Sequence, residues 1–379
     1  QTADEMTGPA VTRLRATTYI VPTTTAGTPL PESDGTASWD STGVLVVEAT
    51  AGGRTGLGYS YGSPAALAVV RDILAPAVVR SDAFATTRTF WRMARSVRNI
   101  GWAGVAAGAL SAVDIALHDL RARLLDVSLV DLLGAARDGI AAYGSGGFTN
   151  YDARRLADQL SSWRERGMRA VKMKIGSDPA ADPERVRIAR AAIGDDMDLF
   201  VDANGAYERA QALMLAKRFA DEAGVTWFEE PVSSDDLAGL RLARDRVPAG
   251  MRVAAGEYAY RPADFRALLA ADAVDVLQAD ATRCGGVTGF LGAAAQCTAV
   301  GLPLSAHTAP ALHAVLGCVA EPVVNVESFH DHELIESMLF DGVSPLVEGC
   351  LTPDRARPGH GLMLTDRGED HVRERWETP

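Results

Sequence analysis

Cysteine is scarce in this sequence: four residues in 379, at positions 284, 297, 318 and 350, with no CxxC pair among them. That excludes a disulfide framework and a thiolate metal centre, and fits reduced thiols in the cytoplasm. Long apolar runs are missing too. No stretch of about 18 apolar residues is present and no signal-peptide pattern opens the chain, so the expectation is a cytoplasmic protein without a membrane partner. Positive charge is in deficit, with 37 Lys and Arg against 49 Asp and Glu and a net charge of -12. Nucleic acid and anionic membrane surfaces both need a basic face, so neither is an expected partner. An anionic small molecule is not excluded, because a local site can be cationic inside an acidic protein.

What is present is ordinary for a globular protein: 47% hydrophobic and 23% charged residues. The length exceeds what one core usually supports, which predicts two domains, one of them large enough for a barrel. Residues 11–62 read as an antiparallel meander, with GVLVVEAT alternating between Gly-Gly and Thr-Gly turns. Within it, residues 23–41 are polar and turn-rich, too long for an idle connector, and read as a lid or a surface loop. From Pro64 to Ala136 the period becomes helical. Val113, Leu117, Leu120 and Leu124 form one stripe of an amphipathic helix, on which Asp114 and His118 read as surface or packing residues. Strands plus helices make an α+β capping domain over 11–136.

From Ile140 onward, strand-like runs end near Gly144, Lys174, Asp202, Glu229, Glu257, Asp280, His307 and Glu327, spaced 20 to 30 residues apart. Helical patterns fill the gaps, as where Leu156, Leu160 and Trp163 precede a C-capping Gly167. Apolar strands with ionisable residues at their C-terminal tips predict a TIM-type α/β barrel of (β/α)7β form over 137–345. The segment 346–379, with PGHGL at 358–362, is expected to return to the capping domain.

The tips specify chemistry. Asp202, Glu229 and Glu257 lie on three successive strands, and three convergent carboxylates repel unless a cation neutralises them. An all-oxygen set suits a hard ion, and one with room for water and substrate suits Mg²⁺. Lys172 and Lys174 share one face of the preceding strand, where the cation and the second ammonium would push a lysine toward its neutral, basic form. Asp280 beside His307 would fix the imidazole tautomer and leave its other nitrogen free to move a proton. Glu327, if protonated, could donate to a developing oxyanion. Such a set would remove the proton alpha to a carboxylate and stabilise an enediolate. In the loop of 23–41, Glu32, Ser33, Asp34 and Ser38 suit a hydroxyl-rich substrate, with Trp39 as an apolar wall. Asn204 and Arg283 are further substrate contacts, Arg283 close enough in sequence to pair with Asp280 or Glu257. Tyr258 and Arg261 could reach a distal substrate group or lie on the surface. His330 and His332 would share one side of a strand, but with no third ligand near, a loop contact to the lid or a structural role is the better reading.

These motifs resemble the enolase superfamily in its mandelate racemase subgroup, the group of mandelate racemase/muconate lactonizing enzyme-like proteins. KMK at 172–174 is similar to the subgroup's KxK, whose second lysine is a base. DAN at 202–204, the first Glu of EEP at 229–231 and GE at 256–257 match its three Mg²⁺ ligands. DATRCGGVTG from Asp280, SAH at His307 and VES at Glu327 match its aspartate, histidine and electrophilic glutamate, and SAVDIALHDL resembles its linker helix. The resemblance implies a homo-oligomer acting on a small-molecule carboxylate, foremost as an acid-sugar dehydratase that yields a 2-keto-3-deoxy acid. A racemase or epimerase of a 2-hydroxy acid would use the same Lys174 and His307. A cycloisomerase and a non-catalytic barrel stand further back.

Overall fold

A computed structural model describes residues 8–23 and 31–379. Residues 24–30 of the expected lid, Gly27 and Pro29 among them, lie outside the described residues. Among those described, no helix is long and apolar enough to cross a membrane, and all four cysteines are free.

Strands β1 (Arg13–Pro22), β2 (Ser41–Ala51) and β3 (Arg54–Tyr61) form an antiparallel sheet. The C-terminal strand Val372–Glu377 adds to its free edge beside β1. Alternate residues of β2 serve different cores: Val44 and Val46 pack with the barrel, Leu45 and Val47 with the capping helices. Both faces are therefore covered, which is why the strand is apolar at consecutive positions. The Thr-Gly pairs at 42–43 and 55–56 lie within strands, not at turns. Gly58 shows why glycine is required there: a Cβ would lie 2.1 Å from the carbonyl oxygen of Ala112, on the helix laid across the sheet.

That helix, α1 (Val105–Leu124), is buried nearly all round, so the single expected stripe understates it. Asp114 is fully buried and His118 nearly so, which corrects the surface reading for both.

The barrel holds eight parallel strands: β4 (Ile140–Gly146), β5 (Ala170–Lys174), β6 (Asp198–Asp202), β7 (Val225–Glu229), β8 (Arg252–Ala255), β9 (Val276–Ala279), β10 (Leu304–Ala306) and β11 (Val323–Phe329). Pairing of β11 with β4 closes it. One helix crosses between each consecutive pair, and a further helix, α2 (His330–Leu339), follows β11. Tyr143, Phe200, Trp227, Ala254 and Val276 fill the interior below the rim, with Phe200 and Trp227 stacked at 4.9 Å. The C-terminal segment first pairs Cys350 and Leu351 with β4, then returns to the cap. There the His360 amide donates to Asp119 Oδ1 at 2.8 Å, and Asp119 Oδ2 accepts from the Leu57 amide.

Cap and barrel meet at one demanding point. Asp114 accepts from both the amide and the hydroxyl of Thr288, at 2.9 and 2.8 Å, and Ser111 Oγ accepts from the Gly285 amide at 2.9 Å. Gly286 sits at φ +71, and a Cβ there would lie 2.5 Å from Asp114 Oδ2. Gly286→Ala is therefore expected to cost on the order of 2 kcal/mol or more, from backbone strain and lost hydrogen bonds. Gly292→Ala, in the same connection but with open space around it, is expected to be neutral or stabilising. Urea midpoints of the two variants against the wild type check both expectations.

Candidate active site

Strand register levels the functional groups at one rim. Lys174 pairs with Asp202 and Asp202 with Glu229, and the two-residue period turns Lys172 to the same side as Lys174. Glu257, Asp280 and His307 follow just after β8, β9 and β10, and Glu327 lies within β11.

The structure brings these groups into one buried cluster. Lys172 Nζ lies 2.5 Å from Glu229 Oε1, 2.8 Å from Glu327 Oε1 and 3.3 Å from Asp202 Oδ2. Lys174 Nζ donates to Asp202 Oδ2 at 2.6 Å and to Asn204 Oδ1 at 3.1 Å. His307 Nδ1 is 2.9 Å from Asp280 Oδ2, and its Nε2 is 2.9 Å from Glu257 Oε2. Asp280 is held in turn by the amide and hydroxyl of Thr282, each at 2.7 Å from Oδ1.

Electrostatics refine two expectations. Burial opposes the charge on Lys174, but Asp202 and the carboxylates behind it outweigh burial and hold the ammonium above its usual range. A neutral base here requires that the carboxylate charge be taken up elsewhere. Glu327 can donate only if protonated. Burial favours its neutral form, yet Lys172 and His307 prevail and keep it ionised, so its surroundings favour the carboxylate. For His307, burial works against the imidazolium, while Glu257 and Asp280 raise its pKa to about 9.

Above the cluster lies a cleft of 390 Å³. Barrel residues Lys174, Glu257, His307 and Glu327 form its base; Asp34, Trp39, Ser41, Thr42 and Tyr61 come from the cap side. Of the expected substrate contacts, Asn204, Asp34, Trp39 and Arg283 line it. Asp34 spends one oxygen on a turn, accepting from the amides of Thr36 and Ala37. Arg283 lies 3.6 Å from Glu257 and 3.5 Å from Asp280 and so faces both. Glu32 does not line the cleft: it is 1% exposed, and its Oε1 accepts from the Tyr151 hydroxyl. Tyr258 lines the cleft, whereas Arg261 pairs with Asp264 on the surface. His330 and His332 begin a helix rather than continue a strand, and His330 has Glu32 and Asp331 beside it, which corrects the expectation of no third ligand. His332 instead stacks on Tyr61 at 3.4 Å.

Several supporting residues carried no signal in the sequence. Ser145 donates to Glu327 Oε1 at 2.6 Å and the Thr308 amide to its Oε2 at 3.1 Å. His313, on the helix after β10, is 2.7 Å from the Thr308 carbonyl through Nδ1 and accepts from the Ala281 amide through Nε2 at 3.0 Å. It thereby ties the Asp280 loop to the His307 loop. Its only sequence cue is a histidine shortly after SAH.

A cation fits this site on the chemistry of its donors. Asp202, Glu229 and Glu257 are all buried, and one oxygen of each lies within 4.8 Å of the others. The set is all oxygen, as a hard divalent ion prefers.

Comparison with known proteins agrees with this geometry. The family model for the mandelate racemase / muconate lactonizing enzyme N-terminal domain matches residues 15–134, and the enolase C-terminal domain-like model matches 155–368. A mandelate racemase/muconate lactonizing enzyme-like protein from Rubrobacter xylanophilus has a crystal structure similar to this one, with a TM-score of 0.93 at 49% identity, covering 96% of this chain and 100% of its own. The L-talarate/galactarate dehydratase from Salmonella typhimurium LT2, liganded with Mg and L-lyxarohydroxamate, gives 0.90 at 26%, covering 100% and 96%. The 3,6-anhydro-alpha-L-galactonate cycloisomerase of Streptomyces coelicolor is 30% identical over 363 residues, 93% of this chain and 97% of its own. A cycloisomerase thus stands beside a dehydratase, and overall resemblance does not set cycloisomerases further back as the sequence motifs had.

Replacing Lys172 tests the cluster without turnover. Lys172→Met strips the ammonium from three buried carboxylates, a change on the order of 3–5 kcal/mol for a broken buried pair. The variant is expected to melt below the wild type in chelator and to gain more from saturating Mg²⁺. Equal Mg²⁺ gains in both, read by calorimetry, would count against these carboxylates as the cation's seat.

Proposed function

The chain belongs to the mandelate racemase / muconate lactonizing enzyme family of the enolase superfamily, and we propose that it is a Mg²⁺-dependent acid-sugar dehydratase. One observation carries the reading: Lys174 and His307, the latter held by Asp280, reach the same cleft from β5 and from the loop after β10, with hydroxyl and carboxylate groups on its cap side. Two proton-moving groups on separate walls are what removal of an α-proton and loss of a β-hydroxyl require.

Mg²⁺, the cofactor held by Asp202, Glu229 and Glu257, would polarise the substrate carboxylate and so acidify the adjacent C–H bond. The protein's residues do the rest. Lys174, in its neutral form, takes the α-proton, and Asn204 with Asp202 aims its Nζ. The C–H electron pair moves into the carboxylate, where the Lys172 ammonium, oriented by Glu229 and Glu327, faces the developing negative charge. The pair then returns to form the C2–C3 double bond as the C3–O bond breaks, and His307 gives its proton to the departing hydroxyl. Asp280 holds the imidazole for that transfer. The resulting enol ketonises to a 2-keto-3-deoxy acid. Asp34, Trp39 and Arg283 would select the substrate.

Monocarboxylic and dicarboxylic acid sugars incubated with Mg²⁺ are expected to include one that yields a semicarbazide-reactive 2-keto acid. Lys174→Ala is expected to lower that rate by about 10³-fold or more. α-Deuterium incorporation from D₂O without keto acid would make the protein a racemase or epimerase, and a cyclised or ring-opened isomer would make it a cycloisomerase.

A further inference from the structure

Two buried carboxyl groups meet where the segment leading from the cap lands on the barrel. Glu32 and Ser33 form a short antiparallel ladder with Ser38 and Trp39, and Asp331 lies in the first turn of α2. Both acids are 1% exposed. Each has one oxygen satisfied: Tyr151 Oη donates to Glu32 Oε1 at 2.9 Å, and Trp39 Nε1 donates to Asp331 Oδ2 at 2.9 Å. The other two oxygens, Glu32 Oε2 and Asp331 Oδ1, are buried without any partner. Glu32, Asp331 and His330 have ligating atoms within 4.8 Å of one another. Two carboxylates so placed repel, and two unpaired buried acceptors cost further. One shared proton answers both problems.

We propose that Glu32 is a positioning residue that acts as a carboxylic acid, donating a hydrogen bond to Asp331 and thereby fixing the Trp39 indole as a wall of the substrate cleft. Trp39 and Asp331 both line that cleft, and the indole packs edge-on against Phe148 at 5.4 Å. The chain Glu32–Asp331–Trp39 therefore joins a buried proton to a cleft wall that, on the function proposed above, faces substrate.

The surrounding charges agree. Burial, then Asp331, raises the Glu32 carboxyl from the ordinary 4.5 to about 9, against the opposing pull of Tyr151 and Arg155. The Arg155 guanidinium is 3.9 Å from Glu32 Oε1 and covers the Tyr151 ring. Burial lowers the pKa of the adjacent His330, with Asp331 and Glu333 opposing and Arg155 and Arg166 adding to the effect, so the imidazole adds no charge. A divalent ion in place of the proton would have to sit beside that guanidinium, a like-charge contact.

The pH dependence has a definite sign. A Glu32 freed to water titrates near 4.5, and in place it titrates near about 9. The arrangement is fully favoured below the lower value, weakens as pH rises, and is lost above the upper one.

The test reads Trp39 directly and needs no substrate. The chain has six tryptophans, so the emission of each protein is taken as its difference from the same protein carrying Trp39→Phe. The wild-type difference spectrum is expected to hold steady to about pH 8 and to shift to longer wavelength with a midpoint near 9. Glu32→Gln, whose amide can donate to Asp331 but cannot lose a proton, is expected to keep the neutral-pH spectrum with no alkaline shift. Glu32→Ala is expected to show the shifted spectrum at every pH. An alkaline shift surviving in Glu32→Gln overturns the proposal. So does loss of the spectrum in Glu32→Gln as complete as in Glu32→Ala, which would assign the pair to a bound cation. An unchanged spectrum in Glu32→Ala overturns it as well.

Discussion

Charge compensation at the barrel mouth is the constraint on which the rest depends. Asp202, Glu229, Glu257, Asp280 and Glu327 face Lys172, Lys174, His307 and Arg283 within a few ångströms, nearly all of it buried. No member can be removed cheaply, because each neutralises charge that burial would otherwise penalise. Burial and the neighbouring Asp202 raise Glu229 to about 8, and burial with Glu257 raises the adjacent Glu230 well above its ordinary value, so carboxylate charge is in excess at this mouth. A divalent cation would relieve that excess.

The cap is bound to the barrel by a different use of buried acids. Asp114 and Glu336 each accept hydrogen bonds from neutral donors across the interface. Glu336 takes the hydroxyls of Tyr59 and Tyr61 from β3 and the amide of Ala311, and burial raises it to about 8 despite them. Asp114 is raised to about 7, again by burial, against Thr288. These contacts are directional, so they set the pose of the cap over the rim, whereas the apolar packing of β2 and α1 supplies the adhesion. Tyr61 serves both, since its ring stacks on His332 at the cleft wall.

The barrel and its reacting groups were legible because they obey short periods. A tip residue announces itself by ending an apolar run, and register then levels Lys174, Asp202 and Glu229 with no further information. Residues that support the site are held by contacts between distant segments, which no local period encodes. Ser145 and Glu327 are partners only because the barrel closes, and His313 reaches Ala281 across two loops. Glu32 was misread for the same reason. Its neighbours in sequence are polar, as a solvent-facing loop would be, but its neighbours in space are Tyr151 and Asp331. The strand placement of His330 and His332 failed on a boundary, since β11 ends at Phe329 and a helical turn rotates the two histidines apart.

In the proposed reaction the two domains would divide the labour. Every group that would move a proton or bear the substrate's charge belongs to the barrel, fixed by strands and by compensating neighbours. Once the α-proton is gone, the product depends on which bond at the next carbon is aligned with the electron pair. It depends equally on whether His307 lies beside the departing oxygen or the α-carbon. The cap side of the cleft, where that alignment would be set, carries Asp34, Trp39, Ser41, Thr42 and Tyr61. A displacement of the substrate by about 1 Å there can cost a hundredfold in rate. On the proposed reading, the contacts that hold Trp39 in place would bear on the outcome although they take no part in any bond that changes.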